Sequence, residues 1–164
     1  MHIKELNYFK ELSKVLDSLD LEKVQELKNE ISNCKGTVYI LGNGGSSSVA
    51  SHACNDILKS FKKNAQNLAD NTAVFSAFCN DINYNDAFSE ILKIVLTEND
   101  IVICLSTSGR SENVLNAFNY SKNICKTFFI SGSTSLIKDF VIQSSDTQII
   151  EDVYSAIFHC ICKI

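Results

Sequence analysis

The chain of 164 residues has no proline, no C-x-x-C cysteine pair and no long apolar run. Because proline is a strong helix breaker, its absence leaves the ends of helices predictable only to within several residues. A helix that crosses a bilayer needs about 20 consecutive apolar residues, and no segment approaches that length. We therefore expect no membrane partner. The N-terminal stretch MHIKELNYFKELSKVL lacks the apolar core of a signal peptide, so we expect a cytoplasmic protein.

An excess of positive charge is also missing. The formal net charge is −4 at pH 7, and no long run of like charge creates a local exception. Nucleic acids and anionic membrane surfaces attract basic proteins, so this charge argues against both as partners. A small molecule or another protein is the expected kind of partner.

The seven cysteines do not indicate a disulfide framework. Their number is odd, and no two have the spacing of a metal knuckle or a redox motif. Cys79 and Cys104 lie in apolar runs, where a free thiol behaves as a small hydrophobic side chain. We expect most of the cysteines to be buried free thiols. Cys160 and Cys162, two residues apart, leave a metal role open as the less favoured alternative.

Composition and periodicity predict one domain over residues 1–164. With 45% hydrophobic residues, the chain is long enough for one sizeable core and too short for two ordinary domains. Helix periodicity over about 3–33 predicts an N-terminal helical hairpin with Asp20 as the cap of its second helix. The apolar faces of the two helices are expected to consist of Leu6, Phe9, Leu12, Leu16 and Leu19, then Leu21, Val24, Leu27 and Ile31.

The remainder, about 37–164, alternates between short apolar runs and segments of helical period. The runs lie at 38–41, 101–105 and 127–130, with weaker ones at 66–69 and 140–143. The helical segments lie at 46–62, 71–78, 84–97, 111–122 and 148–163. This alternation predicts an α/β fold with a doubly wound, mostly parallel, five-stranded sheet flanked by helices.

Two polar loops follow predicted strands at the sheet edge where ligands of such folds bind. They are GNGGSSS at 42–48 and STSGRSEN at 106–113. Glycines let the backbone approach a ligand closely, and hydroxyls with free backbone N–H groups suit a phosphate. Serine and threonine also cap helices, so each loop alone leaves a purely structural interpretation open. Because the first loop lacks both G-x-x-x-x-G-K-[ST] and the third glycine of G-x-G-x-x-G, nucleotide binding is disfavoured.

Four segments taken together carry a resemblance: GNGGSSSVASH, FCNDINYNDAFSE, LSTSGRSENVLNA and IIEDVYSAIFH. They resemble the sugar isomerase (SIS) domain and, within it, the phosphoheptose isomerase family, from about residue 3 to the end of the chain. The resemblance implies an SIS fold and a homo-oligomer, namely a tetramer. It also implies conversion of sedoheptulose 7-phosphate to D-glycero-D-manno-heptose 7-phosphate, which feeds the heptose of surface polysaccharide.

The resemblance further implies which residues contact the phosphorylated sugar. The turn after the first predicted strand is matched by Asn43, Gly44 and Gly45. A pair that contacts the sugar is matched by Asn80 and Asp81. The phosphate-binding loop is matched by Ser106, Thr107, Ser108 and Ser111.

A zinc site and the catalytic groups are implied at His52, Asp56, Glu151 and His159, and Glu151 is also expected to contact substrate. Aldose–ketose isomerisation needs a base, an acid and stabilisation of an oxyanion; Asp56 is expected as the base and His159 as the acid. His52 and Asp56 are four residues apart and share a helix face. Glu151 and His159 lie about 12 Å apart along a straight helix. A common metal therefore needs a bend, long side-chain reach or a neighbouring subunit.

Three positions depart from the family pattern. Asp56 is one methylene shorter than the family's glutamate, Glu151 replaces a neutral amide, and Ser60 stands where a basic residue is expected. These departures leave open a different sugar phosphate or a weakened enzyme. A further alternative is a non-catalytic SIS protein that binds a phosphosugar or acts as an oligomeric scaffold.

Overall fold

The computed structural model describes residues 4–163, with side chains from residue 7 onward. Five strands form one sheet in the order β2-β1-β3-β4-β5, and every neighbouring pair is parallel. The strands are β1 (Thr37–Gly42), β2 (Asn64–Asn67), β3 (Ile101–Ser106), β4 (Lys126–Gly132) and β5 (Phe140–Ile142). The predicted doubly wound parallel sheet is confirmed, although β2 begins two residues earlier than its apolar pattern indicated.

Seven helices flank the sheet in the described part of the chain. They are α1 (Lys4–Asp17), α2 (Leu21–Asn33), α3 (Gly45–Phe61), α4 (Thr72–Asp81), α5 (Ala87–Val95), α6 (Glu112–Ser121) and α7 (Thr147–Cys162). All seven fall where helical periodicity placed them. None of the described helices combines the length and apolar character that a membrane crossing requires.

Apolar side chains of the central strands alternate between two cores, one on each face of the sheet. In β1, Val38 and Ile40 pack with α2, α3 and α7, whereas Tyr39 and Leu41 pack with α5 and α6. Successive side chains of a strand point to opposite faces, so a strand covered on both faces needs an unbroken apolar run. This explains why β1 and β3 are recognisable in the sequence.

The two N-terminal helices pack mainly against α7. Asp20 caps α2 as predicted, because its carboxylate accepts hydrogen bonds from the backbone N–H groups of Glu22 and Lys23, both at 3.1 Å. Phe9 and Leu21 were expected on buried faces, but they are 70% and 71% exposed. Phe9 and Leu21 lie on the flanks of the apolar stripes, beyond the part of each helix that packs against the rest of the described chain. The side chain of Leu6 lies outside the described residues.

Helices α3 and α7 run side by side in the same direction. At their beginnings, the Ser46 hydroxyl donates to Glu151 at 3.2 Å. Near their ends, the Ser60 hydroxyl donates to the carbonyl of Cys162 at 2.8 Å. This parallel packing aligns the α3 residues that follow the first glycine loop with the α7 residues at the C-terminus. It therefore positions the predicted metal and acid-base residues.

Candidate functional site

A pocket of about 460 Å³ opens at the C-terminal edge of the sheet. Its walls come from the turn after β1, the loop after β3 and the first turns of α7. Six of the residues predicted to contact substrate through these two loops line it: Asn43, Gly44, Gly45, Ser106, Thr107 and Ser111. The structure thus brings together two loops that lie about 60 residues apart in the sequence, because β1 and β3 are neighbours in the parallel sheet.

Glycine suits both central positions of the turn after β1. Gly44 has φ +55°, a conformation that other residues adopt at a cost. A Cβ on Gly45 would collide with the Glu151 carboxylate. Gly44 is also the N-cap of α3 and offers no side chain to the first N–H groups of that helix. These backbone donors face the pocket region and suit an anion.

The loop after β3 presents hydroxyls in a similar arrangement. The Ser106 hydroxyl donates to the Ser111 hydroxyl at 3.3 Å. Ser111 is the N-cap of α6, yet its side chain makes no capping hydrogen bond. Ser108 is exposed, and its hydroxyl accepts a hydrogen bond from the backbone N–H of Arg110 at 3.2 Å. Ser108 lies outside the pocket lining, so its phosphate contact remains a prediction.

Two imidazoles and a carboxylate form a cluster where α3 meets α7. The Nε2 atoms of His52 and His159 lie 3.0 Å apart, and the Asp56 carboxylate lies 3.3 Å from His52 Nε2 and 3.7 Å from His159 Nε2. Both histidine side chains are 58% exposed, whereas that of Asp56 is 21% exposed. All three donor atoms lie within 4.8 Å of one another. This donor set fits zinc, which binds imidazole and carboxylate ligands and leaves an open position in catalytic sites.

Known proteins match the chain over most of its length. The SIS domain family profile matches residues 7–125. A phosphoheptose isomerase of Campylobacter jejuni is 33% identical over 156 residues, which cover 88% of this chain and 84% of the relative. The chain belongs to the phosphoheptose isomerase family of SIS domain proteins. The resemblance seen in the sequence is confirmed, and so is the expectation of an isomerase.

Two further phosphoheptose isomerases agree with this assignment. The one from Syntrophotalea carbinolica is 29% identical over 175 aligned positions, which cover 96% of this chain and 89% of the relative. The solved phosphoheptose isomerase of Neisseria gonorrhoeae has a TM-score of 0.87 at 20% identity, with 97% of this chain and 96% of that chain covered. The structural similarity shows that the SIS fold is the same.

In this member of the phosphoheptose isomerase family, Glu151 was expected among the zinc ligands. It is not part of the cluster of His52, Asp56 and His159. Its carboxylate accepts the Ser46 hydroxyl and lines the pocket with Thr147 and Gln148. It precedes His159 by eight residues, about 12 Å along the helix. This length of helix α7 therefore keeps the Glu151 carboxylate in the pocket apart from the histidine cluster. Its metal role and its substrate contact remain predictions, whereas its place at the pocket follows from the packing of α3 on α7.

Two further residues that were predicted to contact the sugar, Asn80 and Asp81, lie outside the pocket. Asn80 and Asp81 end α4, where both are exposed and the Asn80 amide donates to the Asp81 carboxylate at 2.8 Å. They do not line the pocket, and their contact with sugar remains a prediction. Ser60, which stands where a basic residue was expected, donates a hydrogen bond from its hydroxyl to the backbone carbonyl of Cys162.

The described cysteines are all free thiols, and four of the seven are buried. Cys160 is exposed, whereas Cys162 is buried, so the two side chains face opposite environments. Burial raises the pKa of the Cys162 thiol to about 11. A buried, protonated thiol is a poor metal ligand, which argues against the alternative of a metal site at this pair.

Sequence reasoning missed two residues that hold Asn43. The buried Asn113 exchanges two hydrogen bonds with Asn43, and the Tyr84 hydroxyl donates to the same Asn43 amide oxygen at 2.8 Å. Both residues stand inside the motifs that carried the resemblance. Spacing did not reveal their role, because Asn43 and Asn113 are 70 residues apart.

Proposed function

We propose that the chain catalyses the isomerisation of sedoheptulose 7-phosphate to D-glycero-D-manno-heptose 7-phosphate. The observation that carries the proposal is that α3 and α7 bring Asp56 and His159 together, while the first turns of the same two helices line a pocket built from two phosphate-type loops. Family membership adds the reaction class, since the relatives are named phosphoheptose isomerases. A role in supplying heptose for surface polysaccharide is part of the same proposal.

Phosphate binding is assigned to the loop after β3. The hydroxyls of Ser106, Thr107 and Ser111 line the pocket, and the N-termini of α3 and α6 lack side-chain caps. Uncapped helix N-termini carry partial positive charge and free N–H donors, which favour a phosphate group. The sugar would then extend across the Asn43–Gly45 turn towards the histidine cluster.

Proton transfer is assigned to the carboxylate and imidazole of the cluster. Asp56 takes a proton from the carbon next to the carbonyl, and the resulting enediolate receives a proton on the neighbouring carbon. His159 moves the proton between the two substrate oxygens, so the reaction is balanced without any other reactant. Its Nε2 lies 3.7 Å from the Asp56 carboxylate, close enough for both to act on adjacent carbon and oxygen atoms.

The cofactor proposed for this site is one zinc ion held by His52 and Asp56, with His159 as a further ligand only before substrate binds, because an imidazole nitrogen bound to zinc has no lone pair left for a proton. Bound there, zinc would polarise the carbonyl and hydroxyl oxygens of the sugar. Glu151 is retained as a proposed fourth contributor, to metal or to substrate. Two imidazoles with carboxylates also accept nickel or iron, so the choice of zinc depends on geometry and supply.

The functional unit is proposed to be a homotetramer of single SIS domains covering residues 1–164. No residue of α4 is buried in the described chain; Val74 on it is 38% exposed, and Ile82, which caps its C-terminus, is 48% exposed. Phe9 on α1 is also exposed. In the proposed tetramer, neighbouring subunits would cover these apolar side chains. Light scattering on the purified protein should give about four times the chain mass, and a monomer would contradict this part.

The location is proposed to be the cytoplasm. The free cysteines support it, because exposed and half-buried thiols such as Cys160 and Cys79 persist in reducing compartments.

The experiment that tests the function incubates purified protein with sedoheptulose 7-phosphate and follows aldose formation by NMR, with added zinc and again with chelator. The proposal expects metal-dependent conversion. A second tube with fructose 6-phosphate tests selectivity for the longer sugar. Binding of the sugar phosphate without conversion would contradict the enzyme and favour the non-catalytic phosphosugar-binding or scaffold alternative.

A further inference from the structure

We infer that Asn113 and Tyr84 are positioning residues that fix the amide of Asn43 so that it offers the substrate one hydrogen-bond donor and no acceptor. The inference rests on the proposed function, because it defines how one residue of that pocket recognises the reacting sugar. It concerns side chains from three separate segments: the turn after β1, the connection between α4 and α5, and the first turn of α6.

Three hydrogen bonds hold the Asn43 amide. Its Nδ2 donates to Asn113 Oδ1 at 2.9 Å, and Asn113 Nδ2 donates back to Asn43 Oδ1 at 2.8 Å. The Tyr84 hydroxyl donates to the same Asn43 Oδ1 at 2.8 Å. Asn113 is 1% exposed, so its amide has no access to solvent as an alternative partner.

A backbone group sets the direction of this network. Two amides that exchange hydrogen bonds could both be turned by 180° and still be paired. The backbone N–H of Val114, however, also donates to Asn113 Oδ1, at 3.0 Å. A backbone N–H is a donor only, so it identifies this atom of Asn113 as the oxygen. The partner atom on Asn43 must then be nitrogen, and the orientation of the Asn43 amide follows.

Counting the hydrogen bonds of the Asn43 amide shows which of its groups stay free for the substrate. An amide oxygen has two lone pairs, and on Asn43 both are used, by Asn113 and by Tyr84. The amide nitrogen has two hydrogens, of which one is used by Asn113. What remains for the pocket is a single N–H. It binds an acceptor oxygen, such as a carbonyl, and binds more strongly to an oxygen that gains negative charge in the enediolate.

Tyr84 offers a clean way to test this arrangement. Its side chain is 49% exposed, and its ring packs edge-to-face on Phe75 with centroids 6.2 Å apart. Tyr84→Phe removes the hydroxyl and retains this packing, so folding should be preserved. In the variant, one lone pair of Asn43 Oδ1 is free, the amide is held less firmly and the N–H is less well aimed.

The test measures kcat and KM of Tyr84→Phe with sedoheptulose 7-phosphate. We expect kcat to fall by about 2- to 10-fold, the effect of one neutral hydrogen bond, with little change in KM. Asn113→Ala removes both hydrogen bonds to Asn43, so a larger loss of kcat is expected. The matched control for Tyr84→Phe is Tyr120→Phe on α6, which makes the same chemical change outside the pocket and should leave kcat unchanged.

A double-mutant comparison separates positioning from general structure. In an Asn43→Ala background, Tyr84→Phe should have no further effect on kcat, because the group that it positions is gone. An equal loss in both backgrounds, or unchanged kcat in Tyr84→Phe, would overturn the inference alone. Absence of turnover by the unmodified protein would instead reject the proposed function and the inference together.

Discussion

The Nε2 atoms of His52 and His159 lie 3.0 Å apart, although 107 residues separate them in the sequence. At this distance one imidazole nitrogen can donate a hydrogen bond to the other, or both can bind one metal ion. The parallel packing of α3 on α7 creates this contact and places the Asp56 carboxylate beside it.

The first prediction concerns metal binding by this cluster. Zinc should bind with one equivalent per chain and raise the melting temperature, because a ligand at 100 times its Kd stabilises the folded state by about 2.7 kcal/mol. His52→Ala and His159→Ala should each abolish the increase. Calorimetric titration and thermal unfolding measure both effects.

The control for metal binding is Cys160→Ser. Cys160 is exposed and adjacent to His159 in the sequence, but it is not part of the cluster. Its replacement should leave zinc binding unchanged. Zinc binding that survives His52→Ala and disappears in Cys160→Ser would contradict the assignment and revive the cysteine alternative.

The second prediction concerns the charge of Glu151. Its carboxylate lines the pocket that we assign to an anionic substrate, so Glu151→Gln should lower KM by roughly 3- to 10-fold through loss of repulsion. An amide oxygen still accepts the Ser46 hydroxyl, and Glu98→Gln outside the pocket is the matched control. A large loss of kcat in Glu151→Gln, with KM unchanged, would show that Glu151 serves in catalysis or metal binding.

The third prediction separates the hydroxyls of the phosphate loop. Inorganic phosphate should inhibit competitively, and Ser111→Ala should weaken this inhibition by about 2- to 10-fold, the effect of one hydrogen bond. Ser108→Ala should have a smaller effect, because Ser108 is exposed and its hydroxyl accepts from the backbone of Arg110. The inhibition constants of the two variants measure both effects, and the opposite order would show that Ser108 is the stronger phosphate contact.

The fold was predictable from the sequence wherever burial on both faces enforces an apolar run. Ile101–Ser106 is buried throughout and was recognised at once. Asn64–Asn67 pairs with β1 alone at the edge of the sheet, so it is polar and its position was predicted two residues late. An edge strand has no requirement for two apolar faces, and its sequence therefore carries less information.

The site was predictable where its chemistry is local. Each loop stands within a few consecutive residues, and its glycines and hydroxyls are visible without a structure. The bond between Asn43 and Asn113 depends instead on how two strands pair, and spacing along the chain does not encode it. Similarly, the separation of Glu151 from the cluster depends on the rotation of α7 against α3, which periodicity leaves undetermined.

The most direct test of the account compares the turnover of sedoheptulose 7-phosphate by the unmodified protein, Asp56→Asn and Asp17→Asn. All three are assayed in D₂O with added zinc. The unmodified protein and the exposed-surface control Asp17→Asn should form the aldose and incorporate deuterium at the carbon next to the carbonyl. Asp56→Asn should do neither, with a rate lower by at least about 100-fold. Unimpaired conversion by folded Asp56→Asn would contradict the account.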